Sequence, residues 1–139
     1  VQLVSDFFVF EPGLRNGTTV TVGDIDGDGL GELVVGAGPG GAPRVVVFRG
    51  ADILAGEQSQ ARRFADFFAN NDTADRTGVR VVVRDVDRDG KADLVTATGK
   101  MLTAYSGQRI LDHYLNPTGK LRESAAIPPL LADGLLSVG

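Results

Sequence analysis

One pattern occurs twice in this chain. Asp-x-Asp-x-Asp-Gly-x-x-[Asp/Glu] runs through Asp24, Asp26, Asp28, Gly29 and Glu32, and again through Asp85, Asp87, Asp89, Gly90 and Asp93. The flanks agree as well, since VTVGDIDGDGLGEL at residues 20–33 aligns without gaps on VVVRDVDRDGKADL at residues 81–94. A chain that repeats itself in register builds repeated structural units rather than one irregular fold. Upstream, Asp6-Phe7-Phe8 matches Asp66-Phe67-Phe68, and downstream RVVVFRG at 44–50 corresponds to MLTAYSG at 101–107. The repeat therefore extends to both sides of the acidic turn.

The residues between the turns read as short strands. Residues 19–23 alternate polar and apolar side chains, 33–37 and 44–48 are rich in β-branched residues, and 61–68 is a longer mixed segment, giving four strands per unit. Residues 51–68 have room for one helical turn near Asp52, but Gly56 interrupts the pattern, and the segment reads as loop then strand. The composition agrees: 19 glycines beside seven Phe, two Tyr and no Trp suit many tight turns between short elements. The expected organisation is an outer strand and linker over 1–18, a first unit over 19–70, a second over 71–118 and a tail over 119–139. A third unit begins at Asp112-His113-Tyr114, which resembles the Asp-Phe-Phe strand, but Ile127-Pro128-Pro129 stands where its acidic turn is due. Proline cannot donate to a ladder, so the repetition stops there, leaving the apolar residues 130–138 to cover an edge or fray.

The acidic turns carry the chemistry. A hard cation such as Ca²⁺ takes about six to eight oxygen ligands at about 2.3–2.6 Å, and alternate residues of a tight loop can turn carboxylates to one point. The candidate ligands are Asp24, Asp26, Asp28 and Glu32 with the backbone carbonyl of Leu30, and Asp85, Asp87, Asp89 and Asp93 with that of Lys91. Gly29 and Gly90 supply the bend. Four carboxylates in one loop repel one another unless a cation sits among them, because unit charges about 4 Å apart interact by several kcal/mol at moderate dielectric. Two calcium ions, one per loop, are expected as structural clips. The helix-loop-helix calcium hand shares the opening of the pattern but needs a bidentate Glu at its twelfth position. Val35 and Thr96 stand there, and strand-like residues follow.

Other chemistry finds little support. A net charge of −4 lacks the basic stripe that a nucleic-acid surface needs. The absence of cysteine excludes disulfides, thiolate-bound zinc and a thiol nucleophile. No run of 18 apolar residues is present, so no membrane span is expected, and no charged-then-apolar leader is visible at the amino end. Gly36 to Gly41 satisfies Gly-x-Gly-x-x-Gly, but Ala42-Pro43 leads into a strand where a dinucleotide site requires a helix. His113 is the single histidine, placed in an expected strand with no nucleophile arranged beside it. The Phe clusters 7, 8, 10 and 64, 67, 68 read as packing residues, with a sugar-stacking platform as the sharper alternative.

With these motifs in hand, the chain resembles the FG-GAP and VCBS repeats of integrin α-chain propellers and of many secreted bacterial proteins. The resemblance spans about residues 5–115 and rests on VTVGDIDGDGLGELVVGAGPGGAPRVVVF and VRVVVRDVDRDGKADLVTAT. It implies an all-β fold of about two four-stranded antiparallel propeller blades, with the acidic loop joining the first two strands of each blade and binding Ca²⁺ through the acids named above. GAGPGGAP is similar to the family's Gly-Ala-Pro element, which the second unit has lost. Two blades cannot close a ring, since propellers have about four to eight. Further blades of a longer chain, or a homo-oligomer, are the expected partners. The resemblance implies a non-enzymatic adhesion or ligand-binding scaffold, secreted or at the cell surface, with an extracellular protein or saccharide as ligand. An accessory carbohydrate-binding domain of a secreted polysaccharide-active enzyme is the alternative.

Overall fold

The computed structural model describes residues 4–117 and 125–126. The β-branched runs pair as antiparallel ladders, because such side chains pack well on a pleated surface. The first sheet orders β1 (Thr18–Gly23), β2 (Glu32–Ala37), β3 (Arg44–Phe48) and β4 (Arg63–Phe68) side by side in chain order. The second repeats the plan with β5 (Arg80–Arg84), β6 (Asp93–Ala97), β7 (Leu102–Tyr105) and a two-residue β8 (Ala125–Ala126). The register is homologous: Gly23 faces Glu32 and Arg84 faces Asp93, so each acidic loop closes the first hairpin of its sheet. The expected all-β architecture of two blade-like sheets in an incomplete propeller is found.

Which side of each strand is buried differs from a simple polar-out rule. In β1 Thr19 and Thr21 face the second sheet, where Thr19 Oγ1 donates to the Val79 carbonyl at 2.9 Å, whereas Val20 and Val22 face away and are exposed. Close approach of the next unit explains the choice of small residues. A Cβ on Gly36 would lie 2.7 Å from the Val79 carbonyl oxygen, and the Val79 N–H donates to Ala37 at 2.9 Å. The main core fills the space between the sheets: Val34, Val45, Val47 and Phe64 from the first meet Val81, Leu94 and Tyr105 from the second.

Three expectations about local structure are corrected. The stretch after β3 begins with a short helix, α1 (Gly50–Leu54), before β4, and the matching stretch after β7 is a longer helix, α2 (Gly107–Leu115). Asp112, His113 and Tyr114 are therefore helical, not strand. The reason lies in packing, since α2 buries Ile110 in the main core and sets Tyr114 against Phe64, with ring centroids 5.0 Å apart. Asp6-Phe7-Phe8 forms no strand. A strand needs a neighbour to pair with, and this segment instead lays Phe7 edge-on to Phe48 at 5.4 Å. The Gly36 to Gly41 stretch runs from the end of β2 into the turn before β3, with no helix between the two strands, as its context required. Ile127-Pro128-Pro129 and the apolar tail 130–138 lie outside the described residues.

Candidate metal centre

The loops between β1 and β2 and between β5 and β6 fold on their own aspartates. Asp24 accepts from the Gly27 and Gly29 N–H groups at 2.8 and 3.0 Å; Asp85 accepts likewise from Asp89 and Gly90 at 3.2 and 3.0 Å. Asp26 Oδ1 takes the Asp28 N–H at 2.9 Å, and Asp87 Oδ1 takes that of Asp89 at 3.1 Å. The bends need left-handed backbone at Gly27, Gly29 and Gly90, with φ of 81°, 89° and 90°. Arg88, the counterpart of Gly27, adopts φ 64° without glycine's freedom.

The acid at the ninth position holds the loop to the rest of its unit. Glu32 Oε2 accepts from the Ile25 and Asp26 N–H groups at 2.6 and 3.2 Å, and Asp93 Oδ2 from those of Val86 and Asp87 at 2.8 and 3.3 Å. The other oxygen reaches the following helix: the Gly107 N–H, at the start of α2, donates to Asp93 Oδ1 at 3.0 Å, and the Gly50 N–H lies 3.5 Å from Glu32 Oε1. Glu32 is fully buried. Desolvation pushes its carboxyl up to about 7, against the pull of the backbone donors.

These contacts gather one carboxylate oxygen from each of Asp24, Asp26 and Glu32 within 4.8 Å of one another, and the same holds for Asp85, Asp87 and Asp93. An all-oxygen, anionic set of this kind suits a hard cation and excludes the soft thiolate or imidazole chemistry that zinc or copper favours. Mutual repulsion is visible at Asp87. The Asp89 N–H bonded to it pulls its carboxyl down, yet desolvation and the charges of Asp93, Asp89 and Asp85 outweigh that bond and hold it above the usual carboxylate value. Both acidic clusters could hold a metal.

Not every expected ligand joins the clusters. Asp28 Oδ1 and Asp89 Oδ1 each accept the N–H of the seventh residue, Leu30 or Lys91, at 2.8 Å, and the gathered sets do not extend to these two aspartates among the described residues. The Lys91 ammonium bonds Gln108 Oε1 at 2.5 Å, its stem crossing close to Gly27 of the first loop.

Sequence reasoning did not single out Arg49, which sits at the end of β3 and returns to the first loop. Its guanidinium lies 3.0 Å from Asp26 Oδ2 and 3.7 Å from Asp28 Oδ2. The signal was present in the alignment of RVVVFRG on MLTAYSG, where Arg49 stands against Ser106 and the following glycine is shared. The two loops also differ in shelter. Ile25, second in its loop, is fully buried, whereas its counterpart Val86 is 41 % exposed.

Among the described residues no helix is long and apolar enough to cross a membrane. No curated protein and no solved structure matches the chain. A family model does: that of the FG-GAP repeat covers residues 16–50, which contain β1, the first acidic loop, β2, β3 and Arg49. Residues 16–50 thus match the FG-GAP repeat, and the second unit is built on the same plan of strands and loop.

Proposed function

We propose that the chain is a non-enzymatic, calcium-stabilised β-propeller module that serves as an extracellular or cell-surface scaffold for adhesion or ligand binding. The observation that carries this reading is the duplicated trio of converging carboxylates, each closing the first hairpin of its sheet. Asp24, Asp26 and Glu32 would hold one ion and Asp85, Asp87 and Asp93 the other. Asp28, Asp89 and the carbonyls of Leu30 and Lys91 stand next in the loops to complete the shells. A bound divalent cation supplies charge neutralisation, and so relieves the repulsion that raises Asp87.

Calcium at extracellular, millimolar levels suits loops of modest affinity. An ion present at a hundred times its dissociation constant stabilises the native state by about 2.7 kcal/mol. Further blades, from a longer chain or a second copy, are the partners favoured by the exposed Val20 and Val22 on the outer face of β1. Isothermal calorimetry with CaCl₂ tests the reading: two sites per chain are expected, and absence of binding at millimolar calcium would remove its basis.

A second reading, an accessory carbohydrate-binding domain of a secreted polysaccharide-active enzyme, rests on a groove of about 310 Å³ whose lining includes Phe7, Phe8, Phe10, Leu14 and Val20. Phe8 is 69 % exposed there, whereas Phe64 of the other aromatic cluster is buried in the core. A saccharide array probed with the intact chain decides it, and uniform silence would discard it.

A further inference from the structure

We propose that Arg49 acts as a tethered cation for the first acidic loop, so that divalent metal enters the second loop first and reaches the first only by displacing the guanidinium. This rests on the calcium reading above and adds an order of affinity between two loops whose sequence pattern is nearly the same.

The argument begins at the third position of each loop. In the second loop Asp87 Oδ1 accepts the Asp89 N–H, and among the described residues no hydrogen bond or ion pair reaches its Oδ2. In the first loop Asp26 Oδ1 accepts the Asp28 N–H in the same way, but Oδ2 is taken by Arg49, whose Nε and Nη2 both lie 3.0 Å from it. The Asp26 side chain is accordingly only 3 % exposed, whereas Asp87 stands in solvent. A second guanidinium contact, to Asp28 Oδ2, spreads the positive charge across the mouth of the loop.

Arg49 does not reach the loop by chance of a mobile side chain. Its guanidinium carbon lies 6.0 Å from the ring centre of Phe64 and 5.9 Å from that of Tyr114, so two aromatic rings hold it from β4 and α2. Its backbone position is fixed as the residue preceding α1, and Ser106 holds that place before α2. The second loop has cations of its own in Arg88 and Lys91, but Arg88 is exposed and Lys91 places its ammonium on Gln108. The remaining framework is shared: in both loops the ninth acid accepts the N–H groups of the second and third residues. What differs at the third position is therefore a bonded cation: Arg49 holds Asp26, and among the described residues no counterpart holds Asp87.

A unit charge about 5 Å from a divalent ion in water-like dielectric changes its affinity roughly tenfold, and more where solvent is excluded. The test is a CaCl₂ titration of the ¹⁵N-labelled chain, followed at the amides of Gly29 and Gly90, which report one loop each. In the wild type Gly90 should titrate with a dissociation constant at least about tenfold lower than Gly29. Arg49→Gln should tighten the Gly29 transition roughly tenfold while leaving Gly90 within about twofold, and Arg49→Lys, which keeps the charge, should tighten it less. Placing the cation in the other unit with Ser106→Arg should weaken the Gly90 transition.

Gly29 titrating with or ahead of Gly90 in the wild type overturns the proposal without any variant. So does a Gly29 affinity unmoved by Arg49→Gln while Gly90 still binds. Silence of both amides at millimolar calcium overturns the calcium reading itself, and the proposal with it. Should Arg49→Gln lose the dispersed spectrum of a folded chain, the wild-type order and the Ser106→Arg titration decide the matter.

Discussion

The backbone N–H of Ala92 donates to the carbonyl oxygen of Asp24 at 2.9 Å, joining the residue that ends the second acidic loop to the residue that opens the first. The two loops are therefore not independent turns at separate hairpins. Gly107 lies at the same junction: its N–H holds Asp93, and it sits against the carbonyls of Ile25 and Ala92. A Cβ at Gly107 would lie 2.6 Å from the Ile25 oxygen and closer still to that of Ala92.

Gly107→Ala should consequently force the loops and α2 apart. The expected cost is about 2 kcal/mol or more, read as a lowered midpoint in urea. Gly13→Ala, where nothing lies within 4 Å of the added carbon, is the control and should stay within about 0.5 kcal/mol of the wild type. Equal stability of the two variants would show that the junction is loosely packed.

Metal-free protein should lose stability as pH rises from about 4.5 to about 7. Glu32 has its native pKa raised from 4.5 to about 7, so over that window the native state keeps a proton that the unfolded chain has released. The loss, on the order of 2 to 3 kcal/mol, follows from a shift of this size. Melting in EDTA across that range should show it, and Glu32→Gln should flatten the dependence. A metal-free melting temperature that climbs steadily from pH 4.5 to 7 would contradict the assignment.

Asp66 titrates in the opposite sense. Burial raises its carboxyl, but the Arg44 guanidinium at 2.8 Å and Arg63 at 2.6 Å overcome that and hold it below the usual value of 3.8. Its contribution is present above about pH 4 and is lost as pH falls through the depressed value. Asp66→Asn should destabilise by about 1 to 2 kcal/mol at pH 7, because it leaves two arginines at the β3–β4 edge without their shared carboxylate. The gap between variant and wild type should narrow on acidification, as followed by urea unfolding at pH 7 and pH 3. A gap that is unchanged at pH 3 would assign the effect to packing.

The acidic loops and the inner strands were legible because their signal is local: alternating aspartates, glycine at the bend and β-branched runs of strand length. The hairpin register followed, since Gly23 opposite Glu32 and Arg84 opposite Asp93 restate the alignment of the two copies. The helices were not legible. α1 spans five residues, too few for a helical period, and α2 is fixed by Ile110 and Tyr114 packing on distant residues of the first unit. Asp6-Phe7-Phe8 looked like a strand from its match to Asp66-Phe67-Phe68, but pairing depends on a neighbour that a motif does not encode. Arg49 reads in sequence as a charge at a strand end. The turn of β3 into α1 is what returns it to Asp26, 23 residues earlier.

The central claim is that oxygen ligands from each acidic loop converge on a cation. Crystals grown in millimolar calcium and measured for anomalous scattering test it most directly. A difference peak among the carboxylates of Asp85, Asp87 and Asp93 is predicted, with a weaker one beside Asp24, Asp26 and Glu32. Well-ordered loops with no anomalous density at either cluster would contradict the account.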